Sequence, residues 1–185
     1  MIGAILAGVY GDKVSGDFES IATVTVGAGG SSEINFTSIP ATYQHLQIRV
    51  LSRDNRAATA NSVFYRLNSD TGSNYAYHVL AGDGATASAN ATSSSAFTYG
   101  MIETAASTAS NIFTVAVIDI LDYANTNKYK TIRTLQGYDA NGSGNIRLNS
   151  GLWMNTGAVN AFRLYPDGAA SFVQHSHFAL YGIKG

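Results

Sequence analysis

The sequence predicts an all-β protein, folded as an antiparallel two-sheet sandwich of the jelly-roll type with about ten strands. No stretch keeps a helical period of apolar residues over three turns. The apolar residues instead alternate or form short blocks, which is typical of strands. Turn-forming residues recur every ~8–15 positions. Because 185 residues suffice for one domain with a sizeable core, we expect an N-terminal arm over residues 1–16 and a single sandwich domain over residues 17–185.

Alternation marks the first strands of the chain. Residues 21–26 alternate and lead into a glycine-rich turn at 28–31, so residues 33–37 are predicted to be the hairpin partner of that strand. Pro40 marks a break, because proline is excluded from central strands. Residues 43–51 then alternate strictly, with their aliphatic side chains on one face.

The middle of the chain predicts a second pair of strands and a long loop. Residues 62–67 and 75–80 are the strands, joined by the turn-rich segment 68–74. Residues 81–95 contain no large side chain and cannot bury enough apolar surface to order themselves. We expect this segment to be a mobile loop or to lie along a partner. Residues 96–103 predict a short strand.

The second half contains the strongest strand signals. Residues 112–121 are apolar on both faces and rich in β-branched side chains, which predicts the most buried strand of the protein. Residues 129–138 and 144–155 flank Asn141-Gly142, a strong hairpin signal. Residues 158–165 predict one more strand.

The chain ends inside an alternating segment, residues 171–185. Phe178 and Leu180 would point to one face of a strand, and His175 and His177 to the other. A terminal strand frays unless it is held on both sides. We therefore predict an interior strand here.

Composition limits the classes of function. Charged residues make up only 12% of the chain, and the net charge is −1, so no electrostatic footprint for nucleic acid or an anionic membrane is present. A surface rich in small polar residues is typical either of a loop-rich β protein or of a subunit with large interfaces, since interface cores lose charge. The chain has no cysteine, which excludes disulfides and thiolate chemistry. No cofactor is predicted.

The first ten residues form an apolar leader. It lacks a basic region and is too short to span a bilayer, so it is predicted to be neither a signal peptide nor an anchor. An apolar segment of this kind needs a surface to cover it. We predict an assembly arm that docks on a neighbour through Met1, Ile2, Ile5, Leu6, Val9 and Tyr10.

His175 and His177 are the one weak candidate for a metal site. Two residues apart on one strand face, they could both reach a single ion, and a threefold axis would bring six imidazoles together. Fibre and spike tips of phages use His-x-His in this way, and residues 174–177 resemble that motif. The more common interpretation is a pair of solvated histidines with no metal.

Aromatic residues and carboxylates allow two other functions. Tyr75, Tyr77 and Trp153 could form a glycan-stacking or partner surface, although alternating aromatic residues more often lie in a core. A carbohydrate-active enzyme would need two carboxylates on either side of a bond. Asp119 and Asp122 are close in sequence, but their odd spacing places them on opposite strand faces. An enzyme is therefore the most remote alternative.

Several segments resemble small virion proteins of tailed bacteriophages. The most specific is the ending Phe-Ala-Leu-Tyr-Gly-Ile-Lys at residues 178–184. Shorter similarities lie at residues 18–22, 37–40, 46–49, 68–77 and 117–123. The resemblance implies a non-enzymatic structural component of the virion, made in the bacterial cytoplasm.

Within that class, small size favours a capsid decoration (cement) protein, predicted to be a homotrimer that contacts itself and the major capsid protein or another virion protein. A single domain without repeat, shaft or coiled coil cannot extend far from the particle, whereas a fibre needs an anchor and a stalk. The first alternative is a host-recognition module at a tail or fibre tip that binds glycans.

Overall fold

The computed structural model describes residues 16–185, which form two antiparallel β-sheets packed as a sandwich. The predicted all-β class is confirmed, and no helix occurs in this range. The strands are β1 (Phe18–Thr25), β2 (Ile34–Phe36), β3 (His45–Ser52), β4 (Ala60–Leu67), β5 (Tyr75–Gly82), β6 (Ala87–Ser95), β7 (Thr98–Thr104), β8 (Thr114–Leu121), β9 (Lys130–Asp139), β10 (Gly144–Trp153), β11 (Phe162–Pro166) and β12 (His177–Ile183). The jelly-roll connectivity stays a prediction. The predicted N-terminal arm, residues 1–16, lies outside the described residues except for Gly16, and so do all six side chains of the predicted assembly arm.

The two sheets are unequal in size. The large sheet has eight strands in the order β1-β12-β3-β8-β9-β10-β5-β6, and the small sheet has four in the order β2-β11-β4-β7. Alternate residues of β3 and β4 are buried, as expected for strands with one face on a core. The core is formed by inward aliphatic and aromatic side chains of both sheets, among them Leu46, Ile118, Tyr65 and Phe162.

Polar side chains tie the two sheets together across this core. The Tyr75 hydroxyl of β5 accepts a hydrogen bond from the backbone N–H of Leu67 in β4, at 3.0 Å. The Asn149 amide of β10 donates to the carbonyl of Gly100 in β7, at 2.5 Å. Buried polar groups of this kind favour one alignment of the sheets, because another would leave them unpaired.

The terminal strand is an interior strand, as predicted. β12 pairs with β1 on one side and with β3 on the other. Phe178 and Leu180 point into the core and are fully buried. Gly182 must be glycine, because a Cβ there would lie 2.3 Å from the ring of Tyr43. The end of the chain is thus fixed by pairing and by packing.

Two predicted strand pairings are wrong. The segment at 33–37 contains β2, which pairs with β11 of the small sheet and not with β1. β4 and β5 do not pair either, since β4 lies in the small sheet and β5 in the large one. In both cases the preferred neighbour is distant in sequence, and local turn signals do not reveal it.

The hairpin at Asn141-Gly142 is confirmed. β9 and β10 pair from Asp139 and Gly144 onward. Asn141 and Gly142 have φ values of 56° and 104°, which is the left-handed region that two-residue hairpin turns require.

The segment at 81–95 is largely a strand, not the loop that the sequence predicts. Residues 87–95 form β6, which pairs with β5 at the edge of the large sheet. Its side chains are almost all exposed. Backbone pairing with β5, not burial of side chains, therefore places this segment.

The sequence predicts that β8 is buried on both faces, and this prediction is wrong. Ile118 and Ile120 lie in the core, but Val115, Val117 and Leu121 are exposed on the opposite face. Within residues 16–185, the outer face of β8 therefore carries three exposed aliphatic side chains beside Asp119.

Candidate assembly surface

The two histidines of the predicted metal site do not share a strand face. His175 lies in an exposed turn before β12, with a φ of 73°, whereas His177 begins β12 and its Nδ1 lies 2.9 Å from the Thr25 hydroxyl of β1. The geometry expected for a His-x-His pair on a strand is therefore wrong. Within residues 16–185, no group of three or more histidine, aspartate or glutamate side chains is placed to hold a metal ion.

Two of the three predicted glycan-surface residues are core residues. Tyr75 is fully buried, and Trp153 is 1% exposed and donates its indole N–H to Asp70 at 2.7 Å. Only Tyr77 reaches the surface in part, with its ring 5.6 Å from that of Tyr99. The proposed stacking surface of Tyr75, Tyr77 and Trp153 is therefore wrong.

The outer face of the large sheet carries a cluster of exposed aliphatic side chains, which we call the aliphatic face. Its residues are 37% to 61% exposed, and such exposure of large aliphatic groups is unusual when they are neighbours. The aliphatic face consists of Leu51, Leu80, Val115, Val117, Leu135, Ile146 and Leu148.

Strand register makes this cluster continuous. Val117 of β8 lies opposite Leu135 of β9, which lies opposite Leu148 of β10, which in turn lies opposite Leu80 of β5. Directly opposed residues on neighbouring strands contact one another. One unbroken aliphatic row thus crosses four strands of the large sheet.

A second row of the aliphatic face lies beside the first. Leu51 opposes Val115, and both Val115 and Ile146 oppose Gly137 from either side. Because glycine has no side chain, a depression of 300 Å³ forms there between the neighbouring aliphatic groups. Two further depressions, of 330 and 530 Å³, lie along Leu80 and Leu148. The surface therefore has recesses that side chains of a partner could fill.

The aliphatic face is uncharged but bordered by charge. Asp119 of β8 pairs with Arg133 of β9 at 2.9 Å and accepts a hydrogen bond from Gln47 of β3, also at 2.9 Å. These groups form the next outward row along the strands, and the exposed Arg49 of β3 lies directly opposite Val117 at the end of the first aliphatic row. A hydrophobic centre with a polar rim is the usual anatomy of a protein interface.

The outer face of the small sheet has a different chemistry. Tyr165, Phe64 and Tyr99 lie side by side on β11, β4 and β7, with ring centroids 5.8 and 6.0 Å apart. The guanidinium groups of Arg66 and Arg163 lie 5.1 and 4.7 Å from the Tyr165 ring. These rings are half-buried. We call Tyr165, Phe64 and Tyr99 the aromatic row.

Asp54 and Glu103 form a buried carboxyl pair that sequence reasoning missed. Glu103 is fully buried and accepts a hydrogen bond from the Ser52 hydroxyl. Burial raises the pKa of both carboxyl groups, and the charge of Asp54 raises the pKa of Glu103 further. A signal was present: Glu103 follows Met101 by two residues, so strand alternation places both on the inward face. No substrate reaches Glu103 in this fold, because it has no exposed surface.

Comparisons with protein-family models, curated proteins and solved structures give no match to this chain. In residues 16–185, no helix has the length and apolar character needed to cross a membrane. The aliphatic face is therefore the most distinctive feature on which a function can be argued.

Sequence reasoning also missed the aliphatic face, although its signal was visible. Residues 112–121 are apolar on both strand faces, which predicts burial on both sides. Leu135 and Leu148 alternate with core residues in the same way. Sequence alone does not distinguish a face covered by the protein's own core from one covered by a partner.

Proposed function

We propose that this chain is a non-enzymatic structural component of a bacteriophage virion, acting as a decoration protein that stabilises the head shell. The chain would assemble as a homotrimer through its aliphatic face and contact the major capsid protein. The observation that carries the proposal is the continuous aliphatic face. In residues 16–185 no group of three or more histidine, aspartate or glutamate side chains is placed to hold a metal ion. The resemblance to phage virion proteins supplies the setting.

The size of the aliphatic face suits weak contacts repeated many times. Its seven residues expose on the order of 600 Å² of surface, at the upper end for a monomer. Burying that area contributes roughly 15 kcal/mol at ~25 cal/mol per Å², whereas association costs about 4–15 kcal/mol. One contact is therefore marginal alone. Many such contacts on one shell act together and become effective.

Particles that lack this protein would test the proposal. We expect them to adsorb to host cells normally but to release DNA at lower temperature or lower ionic strength than complete particles. Release is followed with a DNA-binding dye during heating, and adsorption by counting free particles. Particles that kept their heat resistance and failed to adsorb would overturn the decoration role.

A second candidate function, host recognition through glycans, is favoured by the aromatic row. Aromatic rings stack on sugars, and Arg66 beside Tyr165 would attract an acidic sugar, whereas Arg163 is already paired with Glu33. Binding of the purified protein to acidic oligosaccharides, lost in Tyr165→Ala and kept in Leu135→Ala, would support this function. Absence of binding would remove it.

A further inference from the structure

The chain contains two apolar parts that contact with another apolar surface would stabilise. They are the aliphatic face and the leader, residues 1–10. The leader has six large apolar side chains and no charged side chain. The aliphatic face is likewise uncharged within its borders. We propose that the leader of one subunit binds the aliphatic face of a neighbouring subunit. This inference rests on the proposed assembly function and names the partner of its surface.

The direction of β1 favours a neighbouring subunit over the leader's own. β1 enters the large sheet at Phe18 and ends at Thr25. Leu51 and Val115 of the aliphatic face lie level with Thr25. The carbonyl of Asp17 still accepts a hydrogen bond from the chain end, at 2.9 Å, so the strand direction is kept up to that residue. β1 therefore begins at the end of the sheet far from Leu51 and Val115, and a leader that covered its own subunit would have to run back along the whole strand.

The leader is long enough to cross the aliphatic face. Ten extended residues span up to ~33 Å. The aliphatic face crosses five strands, β3 to β5 through β8, β9 and β10, which is four spacings or about 19 Å. The leader can therefore cross the whole face, and residues 11–15 are left to bridge two subunits. Small residues in the leader, Gly3, Ala4, Ala7 and Gly8, allow close approach to a flat sheet.

Cysteine cross-linking tests this proposal directly, because the chain has no cysteine of its own. Ile5→Cys is placed in one full-length chain and Leu148→Cys in another that carries a tag of different mass. The two proteins are mixed and oxidised, and the products are separated on a non-reducing gel. Asn35→Cys, exposed on the small sheet, replaces Leu148→Cys in the control. We expect most chains to form the Ile5–Leu148 pair and only traces of the control pair.

Three outcomes would overturn the proposal. Absence of the mixed pair means that the leader does not reach a neighbour's aliphatic face. A link only within a single chain carrying both cysteines means that the leader covers its own subunit. Predominant Leu148→Cys homodimers mean that two aliphatic faces pack together.

Two further variants separate failure of this proposal from failure of the assembly function. Both are compared with the wild type by sedimentation and by thermal melting, which reports whether they still fold. If Leu135→Asp abolishes association and deletion of residues 1–10 does not, the aliphatic face is an interface but the leader is not its partner. If Leu135→Asp associates like the wild type, the assembly function itself fails.

Discussion

Leucine side chains on the two faces of the large sheet should contribute very differently to the stability of the subunit. Leu180 of β12 is fully buried, whereas Leu148 of β10 is 47% exposed on the aliphatic face. Leu180→Ala removes core contacts and leaves a cavity, which costs about 2–5 kcal/mol. Leu148→Ala loses roughly half of the ~1.5–3 kcal/mol that burial of a leucine contributes and creates no cavity. The pair is matched in residue type and sheet.

Urea unfolding of both variants, at a protein concentration where subunits are dissociated, measures the difference. We expect Leu180→Ala to lower the free energy of unfolding by at least ~1 kcal/mol more than Leu148→Ala. Each kcal/mol corresponds to a shift of about 2–4 °C in Tm for a domain of this size. Equal destabilisation by the two variants would refute the assignment of inner and outer faces.

Three other predictions concern the buried side chains of Glu103 and Lys130 and the terminal strand. Burial holds the pKa of Glu103 above its ordinary value of 4.5. The contribution of Glu103 to the free energy of unfolding is therefore complete below pH 4.5 and is lost as pH rises through the folded-state pKa. Glu103→Gln should flatten the fall in stability above pH 4.5, and an unchanged pH profile in urea unfolding would contradict this. The Lys130 ammonium is buried and donates to the carbonyls of Asn125, Lys128 and Thr156 at 2.6 to 3.0 Å. Lys130→Met should therefore lower the free energy of unfolding by roughly 2–5 kcal/mol. A Tm within a degree of the wild type would show instead that water replaces the ammonium. Truncation before Phe178 removes an interior strand, so the shortened chain should not fold. A soluble product with a cooperative melt would contradict this.

Strand positions could be predicted because alternation is local. Residues 43–51 and 62–67 alternate in sequence as β3 and β4 alternate in burial. The Asn141-Gly142 turn fixed one hairpin, because few residues adopt its backbone angles. The alternating end of the chain correctly indicated an interior strand.

Pairing partners could not be predicted, because they depend on contacts distant in sequence. β2 pairs through Ile34 with Leu164 of β11, and no turn signal connects them. β6 is held by the backbone of β5, so its small side chains carried no strand signal. The aliphatic face was hidden for a third reason. Its residues look like core residues, and only the folded sheet shows that residues 16–185 leave them uncovered.

A cryo-EM map of the intact particle, with this chain located in it, tests the central claim most directly. The account predicts the chain on the outside of the head shell, with Leu135 and Leu148 of the aliphatic face buried against another subunit. A map in which the aliphatic face is open to solvent, or in which the chain sits at a tail tip with its aromatic row outward, would contradict it.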